Sequence, residues 1–313
     1  MIPIQENNLF AEIHYNAVKD VIVHHIDRVI SKNGIKNNGR IVLSVNLRAY
    51  LTNLRDLTNN SLKELICLNP QQLLANVTYQ NISHPSFINR LHPDNIILKN
   101  IFVTHGYEKN LNKWDFINKI KIDTCSYCNR NYIYTTTKNK IIKPEIDHFY
   151  PKSKYPLLGL SYFNLIPSCK PCNGFGAKEE KDPYLENIIN PYLLKYDDFI
   201  LSHKIKSIAI INPLCGKSDI EVYFKNKIQS HCDVFNLDEL YSLHDDHAIE
   251  LVIKRRLKYS KIYRDYLSTY KGLKFNKSEI DRMILGNYSL EKEQHKRPLS
   301  KLYQDIGKEL GLI

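Results

Sequence analysis

Two Cys-x-x-Cys pairs about forty residues apart constrain the fold of this chain more than any other sequence feature. The first pair is Cys125 and Cys128, and the second pair is Cys169 and Cys172. Paired cysteines at this spacing are the usual donors of a tetrahedral zinc site, and four thiolates leave no open position for water. We therefore expect one structural Zn²⁺ that joins the two pairs and a folded insert between them.

The composition indicates a folded cytoplasmic protein. Of the 313 residues, 43% are hydrophobic, and 21 Tyr and 11 Phe supply enough apolar surface to offset the ordering entropy of the chain. Seven cysteines are an odd number, which argues against a disulfide framework. No apolar run approaches the roughly 18 residues of a membrane helix, and the first residues lack the basic and apolar segments of a signal peptide. We expect a cytoplasmic location and no membrane partner.

The net charge of +11 points to a polyanionic partner. Nucleic acid is the commonest such partner for a strongly basic chain. A lysine-rich solvated surface explains the same number equally well, so the charge leaves both interpretations open.

The periodicity of the first third, residues 1–115, predicts a helical region. Apolar side chains recur near every 3.6 residues from Phe10 to Ser31, and segments 41–56 and 57–67 also favour helix. The dipeptide Asn69-Pro70 has the form of a helix N-cap followed by proline at the first helical position. No chemical motif occurs in this region.

The remaining two thirds add strands, which makes the predicted fold class α+β. In the central region, residues 116–185, segments 131–137 and 141–148 predict a hairpin, and a helix is expected from 169–172 towards Glu180. The third region, residues 186–313, is expected to be mixed, with strands at 200–211 and 220–224 and one long or two abutting helices over 238–270.

The residues between the cysteine pairs have metal-site chemistry. Asp and Asn oxygens are hard donors suited to Mg²⁺ or Mn²⁺, and a neutral His beside a metal can take a proton from water. Neighbours on a strand point to opposite sides unless the strand ends and twists. The order of side chains is Glu145, Asp147, His148, Pro151, Ser153, Gly159, Asn164, Leu165, Asn173 and Lys178.

This run, Asp-His-x-x-Pro-x-Ser, Gly, Asn-Leu, Cys-x-x-Cys-Asn and Lys, resembles the motif of the HNH endonucleases of the ββα-metal superfamily. The resemblance covers about residues 125–180, and the main motif positions match in order. It implies a ββα-metal module and metal-dependent hydrolysis of DNA phosphodiester bonds that leaves 5′-phosphate and 3′-hydroxyl ends.

The resemblance also implies roles for individual residues. His148 would be the general base that activates water, and Asp147 would bind Mg²⁺ or Mn²⁺. Asn173 stands where many members have His and would be the second metal ligand. Asn164 would brace the loop against the strands and so orient His148, and Lys178 could contact a phosphate. The implied structural zinc site consists of Cys125, Cys128, Cys169 and Cys172.

A basic helix in the third region is a further candidate contact for nucleic acid. Lys254, Lys258 and Lys261 fall on one helical stripe, with Arg255 beside it. Such a stripe suits phosphate binding. A solvated face with aromatic residues in the core explains the same pattern equally well.

The overall layout resembles the HNH nuclease components of bacterial anti-phage defence systems of the Septu and retron-linked type, which work with an ATPase. That resemblance implies double-stranded DNA and an ATPase or another defence protein as partners.

Two other classes of function stay open. One is a non-catalytic, zinc-dependent nucleic-acid-binding subunit, which would bind without cleaving. The other is an RNase or toxin of the same fold.

Overall fold

The computed structural model describes the chain except positions 38, 137, 139–142, 175, 209–215, 257–260, 270–271 and 273–274, and leaves out the side chains at 217, 261 and 262. Within the described residues, the protein is α+β: helices surround three separate two-stranded antiparallel sheets. None of the described helices is both long and apolar enough to cross a membrane.

Helices predominate in the first 120 residues, beside one short hairpin. The helix expected from Phe10 is present, and Asn69 caps its helix through a reciprocal capping box with Gln72. Segment 41–56 divides into a short strand and a helix. The elements are α1 (Asn8–Ser31), β1 (Gly34–Lys36), β2 (Arg40–Val42), α2 (Val45–Arg55), α3 (Ser61–Cys67), α4 (Pro70–Ser83), α5 (Pro85–Ile88), α6 (Pro93–Leu98), a π-helix (Lys99–Asn110) and α7 (Lys113–Ile120).

The central region pairs its strands differently from the prediction. In order, its elements are β3 (Glu145–His148), 3₁₀ helices Pro156–Leu160 and Tyr162–Asn164, β4 (Leu165–Ser168), α8 (Lys170–Asn173) and α9 (Pro183–Glu186). β3 pairs with β4, so that Asp147 lies opposite Ile166 and His148 lies opposite Leu165.

The predicted hairpin between 131–137 and 141–148 is therefore wrong for the described residues. Within these residues, Tyr132 forms an isolated β-bridge with Thr124 and no longer strand pairing. The rings of Tyr132 and Tyr134 are exposed and stacked on each other. β4 is buried at every residue and gives β3 a partner inside the core. The helix expected to run towards Glu180 ends at Asn173, because glycines follow at positions 174 and 176.

The third region has a strand at the start of each predicted stretch, the first of which ends at Ile205, and the helix expected over 238–270 divides at positions 243–244. Asp245 and Asp246 lie in the first turn of the helix that follows this division, where acidic residues favour the helix dipole. Positions 209–211 of the predicted first strand lie outside the described residues. The elements are β5 (Ile200–Ile205), a 3₁₀ helix (Lys217–Asp219), β6 (Ile220–Asn226), α10 (Gln229–Phe235), α11 (Leu237–Ser242), α12 (Asp245–Arg256), α13 (Lys261–Thr269), α14 (Lys277–Leu285), a 3₁₀ helix (Glu291–Lys296) and α15 (Ser300–Glu309).

Buried side chains from all three regions belong to one contiguous hydrophobic core. Asn129, which is fully buried, joins the central region to the C-terminal helices. Its Nδ2 donates to Thr124 Oγ1 (2.9 Å) and to the Gln294 carbonyl (3.0 Å), and its Oδ1 accepts from the Lys301 amide in the first turn of α15 (3.0 Å). Its carbonyl oxygen accepts from the Leu299 amide.

We predict that Asn129→Ala lowers the free energy of unfolding by about 2–4 kcal/mol, because it leaves buried donors and acceptors unpaired. Urea denaturation measures the change. Asn60→Ala is the matched control. Asn60 has the same left-handed backbone conformation, with a φ of 60° where Asn129 has 49°. Its side chain is exposed and makes no capping hydrogen bond. Equal losses in the two variants would assign the effect to backbone strain and contradict the linking role of Asn129.

Candidate functional site

The four paired cysteines converge on one buried point, as the sequence predicted. The Sγ atoms of Cys125, Cys128, Cys169 and Cys172 all lie within 4.8 Å of one another, and each residue is at most 6% exposed. This arrangement can hold a structural metal such as zinc, since four sulfur donors around a point suit tetrahedral coordination.

Hydrogen bonds from two nearby N–H groups favour the negatively charged thiolate form of Cys128 and Cys169. The Arg130 amide donates to Cys128 Sγ, and Asn131 Nδ2 donates to Cys169 Sγ, each at 3.4 Å. Hydrogen bonds from the other three cysteines, with a smaller contribution from Asn131, lower the pKa of the Cys169 thiol, whereas burial raises the pKa of the Cys125 thiol and the neighbouring cysteines raise that of Cys172. A lowered pKa favours the thiolate, which is the form that binds metal.

The first cysteine pair is also fixed to the C-terminal helices. Tyr241 Oη donates to the Cys128 carbonyl (2.7 Å). The Tyr127 ring stacks on Phe235 with 4.6 Å between centroids. The second pair begins directly after β4, so a metal bound here would join the C-terminal helices to the β3–β4 sheet.

His148 is the last residue of β3, and its imidazole ring is held in one orientation and one tautomer. Its Nε2 lies 3.1 Å from the Gly159 carbonyl. A carbonyl oxygen only accepts, so Nε2 carries the proton and Nδ1 presents its lone pair. The Tyr107 ring packs edge-on against the imidazole at 4.3 Å between centroids, and His148 is 6% exposed. Burial, followed by the charge of Lys152, lowers the pKa of His148 to about 3, so the ring is neutral at physiological pH.

Asn164 has the geometry expected of the bracing residue. Its Oδ1 accepts from the Tyr150 amide (2.7 Å), and its Nδ2 donates to the carbonyls of Tyr150 (3.2 Å) and Leu158 (2.9 Å). Leu158 immediately precedes Gly159, whose carbonyl holds His148. Asn164 therefore ties the chain just after His148 to the loop segment that orients its ring.

Gly159 lets that loop approach the π-helix closely. A Cβ at this position would lie 3.0 Å from Val103 Cγ2 and 3.6 Å from the Phe102 carbonyl oxygen. A side chain here would displace the loop carbonyl that bonds to His148.

Asp147 and Lys178 form a buried ion pair instead of contacting metal and phosphate. Lys178 Nζ lies 3.1 Å from Asp147 Oδ1 and also donates to the His148 carbonyl (3.0 Å), while Tyr127 Oη donates to Asp147 Oδ2 (2.6 Å). The side chains of Lys178 and Asp147 are 0% and 3% exposed. This corrects the expected phosphate contact of Lys178, because no ligand in solvent reaches a fully buried ammonium.

The two expected ligands of the catalytic metal are both hydrogen-bonded within the protein. Asn173 Nδ2 donates to Glu145 Oε2 (2.8 Å), so the Asn173 amide is paired with a different carboxylate of the same strand. Both oxygens of Asp147 accept hydrogen bonds, and the Lys178 ammonium is the cation that faces it. The donor types suit Mg²⁺, but Asp147 already has a cationic partner in Lys178.

Sequence reasoning missed a cluster of lysines around His148. Lys113 and Lys152 place their Nζ atoms 4.4 and 5.0 Å from the centroid of the Tyr107 ring that covers His148. Lys143 places its Nζ 5.0 Å from the centroid of the Trp114 ring, the residue after Lys113. Burial and the charges of Lys143 and Lys152 lower the pKa of Lys113. The three lysines come from separate chain segments, so the only sequence signal for them was the overall excess of positive charge.

The described part of the predicted basic stripe belongs to the last turn of α12, which ends at Arg256. Lys254 is half-buried and donates to the Leu285 carbonyl at the end of α14 (3.0 Å). Arg255 is exposed in the last turn of α12. Lys258 and the side chain of Lys261 lie outside the described residues.

A second group of possible metal donors lies at the start of α12. The ligand atoms of His244, Asp246 and His247 lie within 4.8 Å of one another. Arg130 Nε donates to His244 Nε2 (2.8 Å), and His247 Nδ1 bonds to Tyr303 Oη (2.8 Å). These contacts attach the helix start to the cysteine knuckle and to α15, which agrees with a structural role.

A comparison with known proteins finds a partial similarity to a curated protein. Over 90 aligned residues, the chain is 36% identical to the Septu protein PtuB of Bacillus thuringiensis. The alignment covers 27% of this chain and 31% of the relative, so the chain spans less than a third of the length of the curated relative that it matches. No known protein family matches the chain, and no solved structure does.

We predict that the purified protein contains one zinc per chain and that Cys169→Ser loses the zinc and lowers the melting temperature, because a structural metal contributes directly to folding. Elemental analysis and thermal denaturation measure the two effects. Cys232→Ser is the matched control, since Cys232 is equally buried but lies outside the cluster. Full zinc content in Cys169→Ser would contradict the assignment.

We predict that Lys178→Met lowers the free energy of unfolding by roughly 3–5 kcal/mol, because it leaves the buried Asp147 carboxylate without its cation. The control Lys308→Met breaks a surface pair with Glu291, whose side chains are about half exposed, and should cost less than about 1 kcal/mol. Chemical denaturation compares the two. An unchanged denaturation midpoint in Lys178→Met would show that this pair is not structural.

Proposed function

We propose that this protein is an HNH-type endonuclease that hydrolyses DNA phosphodiester bonds with His148 as general base. The observation that supports this most strongly is the state of His148. Its Nε2 proton is committed to the Gly159 carbonyl, and its Nδ1 forms no hydrogen bond within the described part of the chain. A neutral imidazole with one available nitrogen is the form that removes a proton from water.

In the proposed reaction, Nδ1 of His148 takes a proton from water, and the resulting hydroxide attacks phosphorus in line with the departing 3′ oxygen. The imidazolium formed would be stabilised by the Gly159 carbonyl that already binds Nε2. Asn164 holds both the chain after His148 and the loop before Gly159, so the ring keeps its orientation without reorganising during the reaction. The products expected from the resemblance carry 5′-phosphate and 3′-hydroxyl ends.

The lysine cluster supplies positive charge where the phosphate would lie. Lys113 and Lys152 flank the Tyr107 ring on His148, and Lys143 lies over the ring of Trp114, the residue after Lys113. The Lys152 ammonium pairs with the Glu108 carboxylate (3.2 Å). The charges of the other two lysines keep the cluster positive. Such a cluster attracts the DNA backbone and offsets the charge that builds on the attacked phosphate.

Mg²⁺ or Mn²⁺ dependence is part of the proposal. A divalent ion would polarise the phosphoryl oxygens and stabilise the leaving group. Asp147 and Asn173 are the ligands that the resemblance implies, although Asp147 is paired with Lys178 here, so the steps above use only the side chains of this chain.

We further propose that the protein acts in anti-phage defence together with a partner such as an ATPase. The partial identity with a Septu protein supports this, as does the resemblance of the overall layout to nuclease components of such systems.

The alternative is a non-catalytic, zinc-dependent nucleic-acid-binding subunit. The burial of His148 and the Asp147–Lys178 pair favour this alternative, because both differ from an open metal site. It predicts nucleic-acid binding that survives EDTA and no cleavage. An RNase or toxin of the same fold would instead cleave RNA in preference to DNA.

We predict that the purified protein nicks or linearises plasmid DNA in Mg²⁺ or Mn²⁺ but not in EDTA. His148→Ala should lower the rate at least about 100-fold, which is the usual contribution of a general base. Gel electrophoresis of the plasmid measures the rate, and a matched RNA substrate tests the RNase alternative.

His231→Ala is the control for that experiment. His231 is also fully buried with a pKa lowered to about 3 by burial, and it accepts from the Ile189 amide (2.8 Å), far along the chain from the proposed site. It should lose stability while keeping the cleavage activity of its folded fraction. Cleavage retained by His148→Ala would remove His148 as the base. No cleavage by any variant, with or without products of neighbouring genes, would favour the binding subunit.

A further inference from the structure

A cleft of about 720 Å³ in the N-terminal region is lined by several basic side chains. Its walls are the last turns of α1, the β1–β2 hairpin and the π-helix. Its basic side chains are Arg28, Lys32, Lys36, Arg40 and Lys109, and none of the described residues that line it carries a carboxylate.

These five cations are not neutralised by ion pairs within the described part of the chain. Neighbouring basic residues of the same region are paired: Arg55 binds Asp27 on α1, and Lys63 binds Glu12 on α1. Asp27 and Glu12 of α1 are therefore engaged outside the cleft, whereas Arg28 of α1 and Lys32, the residue after α1, line it. Like charges gathered without a partner repel one another, and an anion that binds among them relieves the repulsion.

Two stacked histidines add neutral polar groups to the cleft wall. The rings of His25 and His105 lie 3.9 Å apart at an angle of 19°. Burial, with the charges of the neighbouring basic residues, lowers the pKa of both rings, that of His25 to about 4. Both are neutral at physiological pH, so they offer hydrogen-bonding nitrogens without adding charge.

The hairpin that forms one wall depends on a glycine. Gly34 has φ 127°, and a Cβ there would lie 1.9 Å from the Ile41 carbonyl oxygen. Only glycine permits this close approach of β1 to β2, which places Lys36 and Arg40 opposite each other in the sheet. The hairpin thus presents two cations at a fixed spacing to the cleft.

We propose that this cleft is a binding site for a phosphate-bearing ligand, either a free nucleotide or the backbone of a nucleic acid. Several cations around one cavity match a ligand with several negative charges, and the planar guanidinium groups of Arg28 and Arg40 can each bind phosphate oxygens in a bidentate manner. The site is distinct from His148. The π-helix presents Tyr107 to His148, and its His105 and Lys109 line the cleft.

The test compares wild type with Arg28→Gln/Lys32→Gln/Lys36→Gln in EDTA, where the proposed cleavage does not occur. The control, Arg55→Gln/Lys63→Gln/Lys206→Gln, also removes one Arg and two Lys, but it takes them from surface ion pairs outside the cleft. Calorimetry measures binding of tripolyphosphate and ATP. Fluorescence anisotropy measures binding of a labelled 20-nucleotide DNA strand and a 20-base-pair duplex over a range of salt concentrations.

The cleft variant should bind at least one of these probes at least tenfold more weakly than wild type and the control. Loss confined to ATP and tripolyphosphate identifies a nucleotide site. Loss of DNA binding, with the slope of log affinity against log salt reduced by about two to three, identifies backbone contacts.

A second variant, Arg40→Gln/Lys109→Gln, removes the two remaining cations of the cleft, one from the hairpin and one from the π-helix, and must change binding in the same direction. Circular dichroism confirms that each variant is folded. Equal losses in the cleft and control variants, or no binding of any probe by wild type, would overturn the proposal. Because the readout is binding without divalent metal, failure of the nuclease proposal would leave this result standing.

Discussion

The convergence of four sulfur atoms is the interaction on which the rest of the candidate site depends. Cys128 and Cys169 are separated by 41 positions in the chain, yet their sulfur atoms lie 3.8 Å apart. On one side, Tyr241 and Asn129 tie the first pair to the C-terminal helices. On the other, the second pair follows β4, the strand that pairs with β3. A metal in this cluster would fix β3, and therefore His148, relative to the C-terminal helices.

β3 places two neighbouring ionisable side chains in different environments, because successive residues of a strand face opposite sides. His148 faces the π-helix and the loop, where burial keeps it neutral. Asp147 faces the cysteine knuckle and stays paired with Lys178 and Tyr127. A buried ion pair is weak evidence for added stability, since desolvation offsets much of its attraction. Here the pair holds the Asp147 carboxylate away from solvent. The carboxylate that the resemblance expects to bind metal is thereby separated from His148, the proposed base.

The sequence predicted local features well and long-range pairing less well. Repeating apolar positions predicted α1, the Asn69-Pro70 signal predicted a helix start, and the cysteine spacing predicted the sulfur cluster. The partner of β3 could not be read from local pattern: Tyr132 and Tyr134 have strand-forming character, but burial of β4 decides the pairing. Lys178 fits a phosphate contact by motif position, yet only the fold shows it buried. The lysines near His148 and the cations of the N-terminal cleft come from separate segments, so no local motif reveals them.

The central proposal is that this chain cuts phosphodiester bonds by water attack with His148 as base. The most direct test is to ask whether the nicks that it makes in circular DNA are sealed by DNA ligase without any prior treatment of the ends. The account predicts that wild type leaves 5′-phosphate and 3′-hydroxyl ends that ligase seals, and that His148→Ala leaves no nicks to seal. Nicks that ligase cannot seal, or sealable nicks made equally by His148→Ala, would contradict it.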